Sequence, residues 1–147
     1  MRDFGLWAVL ALAAVGLTIG GPAGVRLAAG PAVAAEAEPQ GFATLTSPEL
    51  AALLPRKDFF FVNVHVPDAD EIEGADAFIP FDRIAENLDK LPAGKNAKIV
   101  LYCRNGRMSE IAAQALVKLG YRDVSHLSGG MIAWAESGRP LIRKPAP

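Results

Sequence analysis

Lys98-Ile99-Val100-Leu101-Tyr102-Cys103-Arg104-Asn105-Gly106-Arg107-Met108-Ser109 is the stretch that decides the fold. A short apolar run leads into the only cysteine of the chain, and a helix-like stretch, residues 110–119, follows. The order predicts a strand, a tight basic loop and a helix N-terminus, with the thiol on the loop. Arginines and helix N–H groups favour the thiolate, which is the nucleophilic form. Gly106 permits a turn that a bulkier residue resists. Successive backbone N–H groups in such a turn can converge as an anion-binding nest. Arg104 and Arg107 add positive charge, although Arg104 is equally free to point away. This environment suits a sulfur nucleophile acting on an anionic substrate or intermediate. The alternative is a buried structural cysteine beside a solvated loop. A lone cysteine excludes an intramolecular disulfide and any cysteine-cluster metal site.

Upstream of this stretch, residues 59–64 are aromatic and β-branched and read as a buried strand. Ser47-Pro48-Glu49 begins a short helix, with Ser47 as N-cap, Pro48 at the first helical position, Leu50, Leu53 and Leu54 inward, and Pro55 as its end. Residues 66–76 read as a loop. Phe78-Ile79-Pro80 leads into a helix over 82–90 that turns Ile84 and Leu88 inward. Downstream, Ile111, Ala112, Ala115, Leu116 and Leu119 recur at helical spacing, and Gly120 is the expected C-terminal cap. Residues 124–127 form a short strand, Ser128-Gly129-Gly130 a turn, and 131–136 a last helix. The chain from about residue 143 reads as a mobile tail. Alternating strands and helices predict a small parallel-sheet α/β domain with helices on both faces. Ligands of such sheets bind beyond the carboxyl ends of the strands, where Cys103 falls.

The chain has 147 residues, enough for one domain plus a leader or tail. Its net charge of −1, with scattered basic residues, gives no sign of a nucleic-acid partner. The acids do cluster, at Asp68, Asp70, Glu71, Glu73 and Asp76. They read as a solvated loop, with a cation site or a partner surface as the alternative. Residues 4–25 carry no charged residue, and 6–19 are the most apolar part. Ala32-Val33-Ala34-Ala35-Glu36-Ala37 then offers small-residue cleavage sites. Residues 1–37 are therefore expected to be a signal peptide with a linker, or an N-terminal membrane anchor of about 20 apolar residues. Either places the folded part, 38–147, outside the cytoplasm, in the periplasm or anchored to the membrane facing outward.

The cysteine loop resembles the active-site loop of rhodanese-like domains, sulfurtransferases that carry sulfur as a cysteine persulfide. A second signature supports the resemblance: Asp123-Val124-Ser125-His126-Leu127-Ser128-Gly129-Gly130-Met131-Ile132-Ala133-Trp134, then Gly138-Arg139-Pro140-Leu141. It is similar to the Val-x-x-Leu-x-Gly-Gly-x-x-x-Trp segment that ends most such domains, and Gly120-Tyr121 also fits. The resemblance spans about residues 42–141. It implies that Cys103 attacks the outer sulfur of a small anion such as thiosulfate and passes it to cyanide or a thiol. It further implies that the N–H groups of Arg104, Asn105, Gly106, Arg107, Met108 and Ser109 cradle the persulfide. Neither cofactor nor metal is expected, and the protein is expected to be a monomer. Related phosphatases place an arginine where Ser109 stands, so phosphatase chemistry is disfavoured. Many members carry arginine where this chain has Met108, which puts the preference for thiosulfate in doubt. The family often has Asp-x-Arg where this chain reads Asn63-Val64-His65. His65 is either a proton donor or substrate ligand beside the thiolate, or a hydrogen-bonded structural histidine, the second being favoured. His126 and Trp134 read as structural. The alternative to an enzyme is a weakly catalytic or non-catalytic binding or sulfur-sensing module on the same fold.

Overall fold

Five parallel strands form the sheet, in the order β1-β6-β5-β2-β4. The computed structural model describes residues 41–145. The expected signal peptide or anchor, residues 1–37, lies outside the described residues. The strands are β1 (Ala43–Leu45), β2 (Phe60–Asn63), β4 (Ala77–Phe78), β5 (Lys98–Tyr102) and β6 (Asp123–Leu127). Helix α1 (Ser47–Leu53), helix α2 (Arg107–Lys118) and helix α3 (Gly130–Glu136) link them. A two-residue ribbon, β3 (Asp70–Glu71) with β7 (Ile142–Arg143), is antiparallel and separate from the sheet.

The period of two along the central strands divides the core into two layers. Ile99 and Leu101 of β5 face α2 with Val62, Ala112, Ala113 and Leu116. Val100 and Tyr102 face the other side, with Phe61, Leu50 of α1, and Met131 and Trp134 of α3. A strand buried on both faces reads as a continuous apolar run, which is what residues 99–102 show. β5 lies in the middle of the sheet, so Cys103, the first residue beyond it, starts from a fixed point.

Several expectations are corrected. The N-cap of α1 is Thr46, not Ser47: the Glu49 carboxylate accepts the Thr46 backbone N–H at 2.7 Å, as in a capping box. Leu53 is 41% exposed, and Ile111 on α2 is 44% exposed. The buried face of α2 is instead Ser109, Ala112, Ala113 and Leu116, because small residues let the helix lie close to the sheet. Residues 82–90 do not form one α-helix. Phe81–Lys90 is a run of 3-10 turns interrupted at Arg83 and Asn87, with Ile84 buried and Leu88 half-buried. The loop over 66–76 contains β3. The expected mobile tail is tied down: the Lys144 N–H donates to the Ala69 carbonyl at 2.9 Å, and its ammonium meets Asp68 at 3.0 Å and Glu71 at 2.6 Å. Asp76, from the same acidic run, accepts the Phe61 N–H at 2.8 Å and pairs with Lys57. These acids are mostly structural partners rather than one solvated cluster.

Candidate active site

Between the end of β5 at Tyr102 and the start of α2 at Arg107 the chain has four residues in which to reverse. Gly106 makes this possible with a left-handed backbone, φ +96°. A side chain there would also come within 3.1 Å of the Gly129 nitrogen. Helix α3 supports the loop from behind. The Met131 N–H donates to the Cys103 carbonyl at 2.9 Å and the Ile132 N–H to the Arg104 carbonyl at 3.0 Å. These first-turn N–H groups have no partner within their own helix. The approach is so close that a Cβ on Gly130 would lie 2.3 Å from the Cys103 oxygen. This contact explains why the cysteine loop and the Gly129-Gly130 turn occur together. Because the two carbonyls are drawn toward α3, the N–H groups of Arg104 and Asn105 point the other way across their trans peptides.

The Cys103 sulfur sits inside the turn and is completely buried, with 0% exposure. The Gly106 N–H donates to Sγ at 3.1 Å. The Ser109 hydroxyl lies 3.7 Å from Sγ and Asn105 Oδ1 lies 3.9 Å from it. Asn105 Oδ1 also accepts the Arg107 N–H at 3.1 Å, so this exposed side chain both touches the sulfur and caps the start of α2. The Ser109 hydroxyl donates to the Gly106 carbonyl at 2.9 Å and lies 3.2 Å from His126 Nδ1. With the hydroxyl proton so engaged, His126 Nδ1 is the donor, and Nε2 is left to accept from the Thr44 hydroxyl at 3.4 Å. Phe42 meets the imidazole edge-on. Burial holds the His126 pKa below the ordinary imidazole range, with the Glu110 charge opposing it. The result is a neutral chain that runs from the buried Cys103, Ser109 and His126 out to the exposed Thr44. Its link to the sulfur was missed by the reading of His126 as structural. The signal available was positional: β6 lies beside β5, and its residue 126 faces the first turn of α2.

Arg104 and His65 share a cleft of 390 Å3 at the same sheet edge, with Asp70, Met131, Ile132 and Leu141 among its walls. His65 is 9% exposed. Its backbone N–H donates to Asn63 Oδ1 at 3.0 Å. Its ring Nδ1, however, is buried and has no hydrogen-bond partner among the described residues. The favoured structural reading of His65, which required a bonded ring, does not fit that environment. Burial, then the Arg104 charge, lowers its pKa, while Asp68 and Asp70 raise it. Arg107 is exposed. Met108 packs half-buried against the core layer that includes Cys103. The structure thus gathers Asn105, Gly106 and Ser109 around the sulfur, and Arg104 with His65 in the cleft. Tyr102 anchors the other side of the site: its hydroxyl accepts the Ile72 N–H at 3.1 Å, and its pKa is pushed up by burial.

A family model described as Rhodanese-like domain matches residues 54–137. A sulfurtransferase of Allochromatium vinosum is 34% identical over 93 residues, which are 61% of this chain and 84% of that protein. Among curated relatives the matched share also falls to 44% and to 18% of the relative's length. The structure superposes on a rhodanese-like domain protein of Staphylococcus aureus with a TM-score of 0.57 and 30% identity, covering 70% of this chain and 99% of that one. It superposes on a thiosulfate sulfurtransferase of Pseudomonas aeruginosa with a TM-score of 0.60 and 29% identity, covering 69% of this chain and 20% of that one.

Proposed function

Because this chain belongs to the rhodanese-like domain family, in which relatives named sulfurtransferase make sulfur transfer the family-level chemistry, we propose that it moves sulfane sulfur through a persulfide on Cys103. The observation that carries this reading is the Gly106 N–H at 3.1 Å from Sγ, inside a turn whose carbonyls are drawn off by α3. The thiolate attacks the outer sulfur of thiosulfate. The new Cys103 S–S bond forms as the old S–S bond breaks, and sulfite leaves with the electron pair. The terminal sulfur then carries the negative charge, which the inward N–H groups and the α2 N-terminus stabilise. Ser109 can turn its hydroxyl from the Gly106 carbonyl to the charged sulfur while keeping the His126 hydrogen bond. Cyanide next attacks the outer sulfur, thiocyanate leaves, and the electron pair returns to Sγ. Thiosulfate must first displace a cover. Asn105 is the exposed side chain touching Sγ, and its swing opens the path.

The complete burial of Cys103 favours a second reading, a rhodanese-fold binding or sulfur-sensing module with little turnover. Steady-state thiocyanate formation from thiosulfate and cyanide separates the two. The enzyme reading expects turnover by the wild type and background rates for Cys103→Ser. Equal rates in both proteins would overturn it. We also propose export, on the apolar run 6–19 and the small-residue sites near 34–37. Fractionation of cells expressing the full chain, with N-terminal sequencing, tests this, and a cytoplasmic protein with an intact N-terminus contradicts it.

A further inference from the structure

We propose that the amino edge of the sheet, opposite the Cys103 loop, docks on an anionic lipid bilayer, so that the cysteine loop faces the aqueous phase. The inference goes beyond sulfur transfer and does not depend on it. Cations that are scattered in the sequence meet at this edge. Helix α2 runs from the cysteine loop back to the amino edge and ends at Lys118. Arg122 lies just before β6, and its N–H donates to the Lys95 carbonyl at 2.9 Å, which ties the turn after α2 to the turn before β5. Lys98 opens β5 beside Asp123 of β6. In segments 94–98 and 118–123 the cations are Lys95, Lys98, Lys118 and Arg122, all exposed, and the one acid is Asp123. Asp58 engages Lys98, whereas Lys95, Lys118 and Arg122 have no ion-pair partner among the described residues. Lys95 lies 4.0 Å over the Tyr121 ring, a contact that leaves its charge unneutralised. Leu119, 37% exposed, stands among these cations. Exposed cations around an apolar side chain suit the headgroup layer of an anionic membrane. The cations of the opposite edge are offset: Arg104 shares its cleft with Asp70 and Glu136, and Lys144 is paired with Asp68 and Glu71.

What singles out a bilayer among polyanions is the chain that joins here. β1 pairs with β6 in parallel, Ala43 with Ser125, so Gly41 comes level with Asp123. A Cβ on Gly41 would lie 2.6 Å from Val117 Cγ1, in the last turn of α2. Residues 1–40 therefore join the domain at its basic edge, and their apolar run, 6–19, is the segment read as a signal peptide or membrane anchor. A retained anchor holds a bilayer at high local concentration beside this edge.

Lysine acetylation of the full chain by an uncharged reagent, read residue by residue in a mass spectrometer, tests the docking. Vesicles of phosphatidylcholine alone are compared with vesicles containing about one third phosphatidylglycerol, and flotation is measured alongside. The anionic vesicles should slow acetylation of Lys95 and Lys118 at least about threefold relative to the neutral ones, with Lys144 unchanged as the opposite-edge control. Salt at about 0.5 M should abolish the protection, because it screens exposed charges beyond a few ångströms. Arg122→Glu should reduce the protection at least about twofold and leave sulfur transfer unchanged. Equal acetylation of Lys95 and Lys118 with both vesicles, or protection of Lys144 instead, overturns the docking surface. So does protection by a DNA duplex without protection by anionic vesicles. Failure of the anchor reading shows differently. A chain that floats with anionic but not neutral vesicles, with Lys95 and Lys118 protected, docks without an anchor. A chain that floats with both and shows no protection is anchored and does not dock.

Discussion

Two loops meet at the carboxyl edge of the sheet, and they are built in opposite ways. The Cys103 loop is fixed by its backbone: a left-handed glycine at Gly106, two N–H groups from α3, and a contact at Gly130 that leaves no room for a methyl group. The acidic loop over 66–76 is fixed largely by side chains from far away in the chain. Lys144 reaches Asp68 and Glu71, Lys57 reaches Asp76, and the Tyr102 hydroxyl takes the Ile72 N–H. The first kind of construction leaves no alternative geometry for the sulfur. The second holds its loop through ion pairs that are partly solvated. The proposed sulfur carrier sits on the first loop, and the second contributes Asp70 to the wall of the neighbouring cleft.

The sharpest challenge to this contrast is Gly130→Ala. A methyl group there meets the Cys103 carbonyl, and the φ of +55° adds strain. We expect a stability loss of at least about 2 kcal/mol by denaturant unfolding, together with loss of sulfur transfer. A variant with native stability and rate would mean that the loop is not held by its backbone. Ser109→Ala comes next. It removes the partner of a buried imidazole and the hydroxyl beside Sγ, so a loss of about 1–3 kcal/mol is expected, with a slower transfer rate. Unchanged kinetics would reduce the Ser109–His126 pair to packing. At the small end, Lys144→Ala should cost no more than about 1 kcal/mol, because its ion pairs are partly solvated. A larger loss would show the acidic loop to be as stiff as its neighbour.

pH adds a further test of the stiff region. Burial lowers the pKa of His126, and burial with the Arg104 charge lowers that of His65. The unfolded chain therefore binds protons first as pH falls. Stability should be full above the unfolded imidazole value of about 6.5 and should decline below it. His126→Gln should flatten part of that decline in urea unfolding between about pH 6.5 and 5. A slope identical to the wild type would remove His126 from the account.

What was legible in the sequence follows the same division. Residues 98–109 and 123–134 announce the strand ends, the turn and the paired glycines, because backbone constraints leave local marks: Gly, and apolar runs without polar interruption. β1 left no mark, since a three-residue edge strand with exposed Ala43 and Thr44 depends on pairing with β6 rather than on its own pattern. The 3-10 character of Phe81–Lys90 was hidden because Ile84 and Leu88 stand at the α-helical spacing of four, and the breaks at Arg83 and Asn87 leave no mark in the sequence. The tie between Lys144 and the acidic loop, and the contact of His126 with Ser109, join residues far apart in sequence, and only the folded chain brings them together.

The central claim is that the turn around Cys103 makes its sulfur a persulfide carrier. Intact-mass spectrometry of the full chain after thiosulfate treatment, beside Cys103→Ser and followed by cyanide, tests it most directly. The account predicts a gain of one sulfur mass on the wild type alone, removed by cyanide. No gain on the wild type, or the same gain on Cys103→Ser, would contradict it.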